Sequence, residues 1–361
     1  MRIALVNLVS VDGGGLAVLK DFYEYLKENK ENKIKWLFIV SNQQLESTEN
    51  IQVINLSKTK MNVFGRAYAE MKRIPSILKQ YKPNVVLSMQ NTTLRYKNAV
   101  QMIYMHQSLP FQKEYNFSIF RRGEFDCAIR QYILGYFIKK SLKKAKCIFV
   151  QTEWIKSAVK QYIESNSKVV KVGYNLPEFN NRVQHDRKIS NKFFYPAGPA
   201  IYKNFILLDK AVNSLESQGY NNFKIFLTIT KEEYIRATNI KGPISNKFVF
   251  LGRIPYKRVC NLYNESIVVF PSYIESLGLP LIEAMANNCF ILASNCEFSK
   301  EVLGNYDNAL YFNPFKEEEI INCMIKVLNG NVTIIPSAKV IKNEGNCWGK
   351  MMLEIKNLGG R

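Results

Sequence analysis

Short apolar runs alternate along this chain with longer stretches whose apolar positions recur at helical spacing. In the first half the pattern predicts strands over 2–8, 35–41, 51–55, 85–88, 100–105, 147–150 and 169–172. Helices are predicted between them over 16–28, 64–80, 127–145 and 153–162. After residue 190 the alternation resumes, with strands over 192–195, 223–228, 248–251, 267–270 and 290–293. The accompanying helices fall at 205–217, 258–265, 281–286, 317–329 and 348–357. Several strands are apolar on successive residues, the mark of a sheet covered on both faces. Strand–helix alternation of this kind predicts an α/β fold with parallel sheets.

Polarity rises and periodicity fades over 177–190, which reads as a linker. The expected organisation is therefore a Rossmann-like domain over 1–176, a second over 191–345, and a C-terminal helix in 346–361 returning to the first. A length of 361 residues agrees, because single cores rarely grow past roughly 300 residues. Two such domains are expected to face each other across a cleft at the carboxyl ends of their strands, where ligands bind.

Composition changes this picture in two respects. The net charge is +20, and residues 1–180 hold 28 Lys and Arg against 14 Asp and Glu. A solvated basic surface accounts for such an excess, as does attraction to an anionic membrane through the basic N-terminal domain. In 120–146, Arg121, Arg122, Arg130, Lys139, Lys140, Lys143, Lys144 and Lys146 accompany many apolar residues. These read as a buried helix face with basic residues toward its end, or as a lipid-docking patch. The seven cysteines form no CxxC pair and the chain has two histidines, which argues against zinc and for reduced thiols in a cytoplasmic protein. No run of about 20 apolar residues is present to span a bilayer.

The chemistry concentrates in VVFPSYIESLGLPLIEAMANNCFILASN, residues 268–295. An apolar strand ends at Pro271, a loop carries Glu275, Ser276 and Gly278, and a helix opens near Pro280. The spacing predicts Glu275 in the loop and Glu283 in the first helical turn. Backbone N–H groups of Leu277, Gly278 and Leu279 at a helix N-terminus suit phosphate or sugar hydroxyls without a metal, and Gly278 permits close approach to the backbone. A Glu near a helix start is also common for its effect on the macrodipole alone.

This segment resembles glycosyltransferase family 4, of the GT-B fold, through the E-x7-E pattern in FPSYIESLGLPLIEAMA. The resemblance implies a retaining, nucleotide-sugar-dependent enzyme. Glu275 would contact the hydroxyls of the transferred sugar and Glu283 the nucleotide ribose. The amides of Leu277 to Leu279 would meet the sugar and the β-phosphate, and Lys203, in FFYPAGPAIYKN, would neutralise the diphosphate. The family's Arg after the loop glycine is missing, since Pro199 follows Gly198; Arg253 is a second candidate near the nucleotide. Gly13, Gly14 and Gly15 form either a diphosphate-bordering loop or a plain turn. His106, closing a strand, is either structural or the family's histidine near the donor sugar. The resemblance implies no cofactor and no metal, with a glycan or polyprenyl-diphosphate-linked acceptor.

By family precedent the setting is assembly of O-antigen, capsule or another bacterial surface polysaccharide, peripheral on the inner face of the plasma membrane. The rival readings are another GT-B enzyme, such as a sugar-nucleotide epimerase, and a basic non-enzymatic protein binding membrane or nucleic acid. Nucleic acid is not expected as a partner, because the aromatics fall inside strands and helices instead of forming a stacking surface.

Overall fold

The computed structural model describes residues 1–9, 13–31, 33–41, 45–57, 63–173, 190–335 and 347–360. Most of the linker expected over 177–190, with His185, lies outside the described residues. The chain is α/β and divides into two compact units. Unit 1 comprises Met1–Phe111, Arg130–Asn175 and Glu344–Arg361; unit 2 comprises Gln112–Ile129 and Leu176–Asn343.

Unit 1 holds β1 (Arg2–Asn7), β2 (Lys35–Val40), β3 (Ile51–Asn55), β4 (Val85–Ser88), β5 (Val100–Met105), β6 (Cys147–Val150) and β7 (Lys168–Lys171). They form one sheet in the order β3-β2-β1-β4-β5-β6-β7, every pairing parallel. The chain winds outward from β1 to β3, then returns to β4 and winds the other way. The carboxyl ends of β1 and β4 therefore flank the topological switch point, the usual ligand crevice of open α/β sheets.

Consecutive strand residues serve opposite faces. Ile3 and Leu5 pack with Leu19 and Phe22 of the helix Gly13–Glu28, whereas Ala4 and Val6 pack with Ile74 and Leu78 of the helix Ile74–Tyr81. That double burial explains the unbroken apolar runs. The C-terminal helix Cys347–Gly359 completes the first of these faces. Its Trp348 ring lies 4.8 Å from Phe22 and donates Nε1–H to Asp21 at 2.7 Å. At Gly359 an added Cβ would clash with Val85 Cγ2, so the helix end can approach β4 only without a side chain.

The helical stretch beyond Arg130 departs from one of its two sequence readings, that of a buried apolar face. Tyr132, Ile133, Leu134, Tyr136 and Phe137 are all exposed. Gln131, Gly135, Ile138, Ser141 and Leu142 face inward instead. The cause is local. Ile129–Leu134 is π-helical, and its wider turn rotates the face that follows. Gly135 then sits against Pro110, where an added Cβ would meet Pro110 Cβ at 3.1 Å.

Unit 2 holds β8 (Lys192–Tyr195), β9 (Lys224–Leu227), β10 (Phe248–Phe250), β11 (Ile267–Phe270), β12 (Ile291–Ser294) and β13 (Ala309–Phe312). Their order is β10-β9-β8-β11-β12-β13, again all parallel, with the switch point between β8 and β11. Three elements here went unread in the sequence: the helices Lys231–Thr238 and Glu297–Leu303, and β13. The segment Gln112–Ile129 groups with this unit. Tyr115 stacks on Phe315 at 6.1 Å and lies 5.5 Å from Tyr273, while Glu124 accepts from Tyr115 Oη at 2.7 Å and Ser118 N–H at 2.8 Å.

Candidate active site

Two loops leave the switch point of unit 2 and are stitched together by main chain. The loop after β8 carries a short 3-10 turn, Ile201–Lys203, and the loop after β11 runs from Pro271 to Gly278. Tyr273 N–H donates to the Tyr202 carbonyl at 3.1 Å, and Tyr195 Oη donates to the Lys203 carbonyl at 2.9 Å. Asn204 turns the chain with φ 60° and ties Nδ2 to the Pro314 carbonyl at 2.8 Å. These bonds hold the base of Lys203 still.

The side chains then meet. Lys203 Nζ donates to Glu275 Oε1, and Ser272 Oγ donates to the same oxygen at 2.7 Å. Each partner of the ion pair keeps 15% of its side chain exposed. The pair is thus largely withdrawn from water yet reachable from one side. In such surroundings a charge–charge contact is stronger than at the surface, and leaving either partner alone is costly. The ammonium also lies 5.6 Å from the centre of the Tyr202 ring, an added cation–π contact.

The helix Leu279–Ala286 opens beside this pair. Gly278 caps it with φ 79°, a left-handed conformation that side chains resist. The glycine is also needed for packing, because a Cβ there would meet Phe298 Cδ2 at 3.3 Å. The missing side chain therefore lets Phe298 pack close to the backbone here. Leu277 is buried, and the N–H of Leu279 belongs to a first helical turn, whose donors lack intrahelical acceptors.

Glu283 lies in the second turn of that helix, not the first, being its fifth residue. The helix begins at Leu279 because Gly278 and Pro280 together define its entry. Its carboxylate is buried and accepts from Tyr263 Oη at 2.7 Å and Tyr256 Oη at 3.3 Å. Burial raises the carboxyl pKa above its ordinary 4.5, and the two phenols offset part of that rise. Arg253 is exposed on the loop after β10, at the same carboxyl edge of the sheet.

In unit 1, Gly14 and Gly15 lie in the first turn of the helix Gly13–Glu28, after β1 at the switch point. A Cβ at Gly14 would meet nothing within 4 Å. The loop after β4 supplies amide side chains. Gln90 Oε1 accepts from Leu8 N–H at 2.9 Å, and Asn91 Oδ1 accepts from the N–H groups of His106 and Gln107 at 2.9 and 3.0 Å. His106 follows β5, with its ring 6.5 Å from that of Tyr104. Burial lowers the imidazole pKa to about 4, so the ring is neutral near pH 7.

Of the residues singled out in the sequence, the structure brings Lys203 and Glu275 into contact and places Leu277 to Leu279 and Glu283 on the adjoining loop and helix. Ser272, Tyr256 and Tyr263 were missed. They have no motif of their own and gain significance only by touching Glu275 or Glu283. Among the described residues no group of three or more His, Cys, Asp or Glu is placed to hold a metal ion, and no helix is long and apolar enough to cross a membrane.

Residues 178–346 match the family described as Glycosyl transferases group 1. The O-antigen chain mannosyltransferase RfbU of Salmonella typhimurium is 23% identical over 232 residues, spanning 62% of this chain and 64% of that protein's length. Among solved structures, sucrose-phosphate synthase from Thermosynechococcus elongatus superposes with a TM-score of 0.68 at 13% identity, over 99% of this chain and 96% of its own. WaaG, a glycosyltransferase involved in lipopolysaccharide biosynthesis, gives a TM-score of 0.66 at 12% identity, over 91% and 90% of the two chains. At these identities the structural likeness speaks for the fold alone, two Rossmann-like domains of the GT-B kind.

Proposed function

We propose, from the match of residues 178–346 to the group 1 glycosyl transferases, that this chain moves a sugar from a nucleoside-diphosphate donor to a glycan or lipid-linked saccharide, with retention at the anomeric carbon. The observation that carries this reading is the Lys203–Glu275 pair at the switch point of unit 2, beside the N-terminus of the helix Leu279–Ala286. A departing diphosphate develops negative charge. Preorganised donors aimed at such charge are generally the largest catalytic contribution. Lys203 and the first-turn amide of Leu279 supply them, and the loop bonds described above fix the lysine before substrate arrives.

Glu275 has a double task. It holds Lys203 in the absence of donor and offers its second oxygen to sugar hydroxyls when donor is bound. Glu283, restrained by two phenols, presents a carboxylate to the ribose. With the diphosphate leaving and the acceptor attacking on one face, a phosphate oxygen can take the acceptor's proton. No protein base and no divalent ion is then needed. His106, neutral near pH 7, serves as a hydrogen-bonding group toward the sugar in this scheme. The mannosyltransferase relative supports a place in O-antigen or other surface polysaccharide assembly, where a polyprenyl-diphosphate acceptor would sit in an anionic membrane that the basic first half could meet.

The test is thermal unfolding against a panel of nucleoside diphosphates and their sugars, with chelator present. A ligand at 100 times its Kd adds about 2.7 kcal/mol. One nucleotide series should raise the midpoint selectively, and labelled sugar from that donor should appear on acceptor in the α or β form it had at the start. An epimerised donor without transfer would replace this reading with the epimerase one. Loss of the shift in chelator would show that a metal belongs in the site.

A further inference from the structure

Unit 1 turns apolar side chains outward along two helical stretches. Phe64, Tyr68 and Met71 follow i, i+4, i+7 spacing in Val63–Arg73 and are 85%, 62% and 51% exposed. Tyr132, in the π-turn, and Tyr136 and Phe137, just beyond it, are 49%, 60% and 57% exposed. Scattered exposed apolar residues are ordinary, but stripes at helical spacing mark an interaction surface.

Both stripes lie on one side of the sheet. The helix following the first stripe packs through Ile74 and Leu78 on Ala4, Val6 and Val86, and the second stretch packs through Ile138 and Leu142 on Ile103 and Ile148. Leu87 and Met102 are register partners that face the other core, so their neighbours Val86 and Ile103 share a face. The loop after β4 links the two stretches. Gln90 Nε2 donates to Glu70 Oε1 at 3.3 Å, and Thr93 Oγ1 meets Ser141 Oγ at 2.8 Å.

Charge identifies the partner. Residues 63–81 carry four Lys and Arg against one Glu, and residues 130–146 carry six against none. Lys140 Nζ sits 5.9 Å over the Tyr136 ring, a cation–π contact that keeps a positive charge beside this aromatic. Aromatics beside lysines that make no ion pair among the described residues suit a bilayer's headgroup boundary, whereas the cores of protein interfaces are depleted of lysine.

We propose that this face of unit 1 docks on an anionic lipid surface by inserting Phe64, Tyr68, Met71, Tyr132, Tyr136 and Phe137 among the headgroups, with the lysines and arginines seated on lipid phosphates. It deepens the membrane part of the function proposed above and rests on that reading only for the source of the lipid. The apolar insertion separates it from attraction by net charge alone, because insertion survives salt and charge attraction does not.

The experiment is co-sedimentation of the full chain with unilamellar vesicles of phosphatidylcholine, with and without phosphatidylglycerol, at low and high salt. The wild type should bind the anionic vesicles and retain part of that binding in high salt. The variant Tyr132→Ser/Tyr136→Ser/Phe137→Ser should lose about tenfold or more in partitioning at either salt, since each aromatic removes buried apolar area. The variant Lys140→Gln/Lys143→Gln/Lys144→Gln should weaken binding chiefly at low salt. In Phe137→Trp, emission should shift to the blue on anionic vesicles and be quenched by brominated acyl chains.

Unchanged unfolding midpoints and nucleotide-induced shifts in these variants show that the fold is intact. Wild-type binding by the aromatic triple variant overturns the proposal, as does wild-type protein that sediments with neither vesicle. Self-association removed by the triple variant, without vesicle binding, assigns the face to a second copy of this chain. Vesicle binding without any nucleotide-induced shift leaves docking standing and sinks the donor-site reading.

Discussion

The two Rossmann-like units share a winding scheme but furnish their switch points differently. In unit 2 the crevice edge carries the ion pair Lys203–Glu275 and a buried carboxylate at Glu283. In unit 1 the same edge carries the amides Gln90 and Asn91 and a neutral His106. The difference teaches how one scaffold divides labour. The parallel sheet supplies a place where loops converge, and the residues on those loops decide whether that place is charged or neutral. Unit 1 also spends an aromatic helix face on the outside, which unit 2 does at no comparable stretch of its described helices.

The comparison can be broken most strongly at the C-terminal helix. Trp348→Ala should cost unit 1 about 3–5 kcal/mol, the usual loss for a buried tryptophan, because Trp348 packs on Phe22 and Tyr104 and bonds Asp21. All three partners belong to unit 1. Urea unfolding should separate into two phases, with the nucleotide-stabilised phase keeping its midpoint. A single cooperative loss, nucleotide-stabilised phase included, would show that the units do not fold as separate bodies.

Next in size is the ion pair. Lys203→Ala should lower kcat/KM by about 10²–10³, in line with removal of one preorganised donor to a developing anion. It should also depress the unfolding midpoint, because Glu275 is left without its cation. The double variant Lys203→Ala/Glu275→Ala should recover stability and not activity. Recovery of both would make the pair structural only.

The smallest effects are in pH dependence, where burial acts with opposite sign in the two units. Glu283 has a folded pKa raised above 4.5, so its protonated form is favoured by folding. Its contribution is present below 4.5 and is lost as pH rises through the folded value. His106 has its folded pKa lowered from 6.5 to about 4, so its contribution is present above 6.5 and is lost as pH falls toward 4. In chemical denaturation, Glu283→Gln should therefore gain relative to wild type as pH rises from below 4.5 to neutral. His106→Gln should gain relative to wild type as pH falls from 6.5 to 4. Parallel stability curves for wild type and either variant would remove the corresponding group from the balance.

Much of this could be read along the chain. The bounds of β4, β5, β6, β8, β11 and the helix Phe205–Ser217 follow directly from apolar runs and helical spacing. Buried parallel strands need apolar residues on both faces, so they announce themselves. The helix Lys231–Thr238 was legible too, through the Thr230–Glu233 capping box that its geometry confirms, but it is polar overall and was passed over. β13 reads ALYF and is only partly buried, which leaves little pattern to find.

What the sequence determined alone was local. It specified the alternation of strands and helices and the loop–glycine–proline entry to the helix Leu279–Ala286. The tertiary structure decided what required distance in sequence to become proximity in space. Lys203 meets Glu275 across 72 positions because β8 and β11 are sheet neighbours. Glu283 finds Tyr263 and Tyr256 only through the packing of two helices that precede and follow β11. The orientation of Tyr132 to Phe137 was undecidable from periodicity, since a single π-turn and the contact of Gly135 with Pro110 rotate an apolar face toward water. Pattern records which residues are apolar; packing decides which of them find a neighbour.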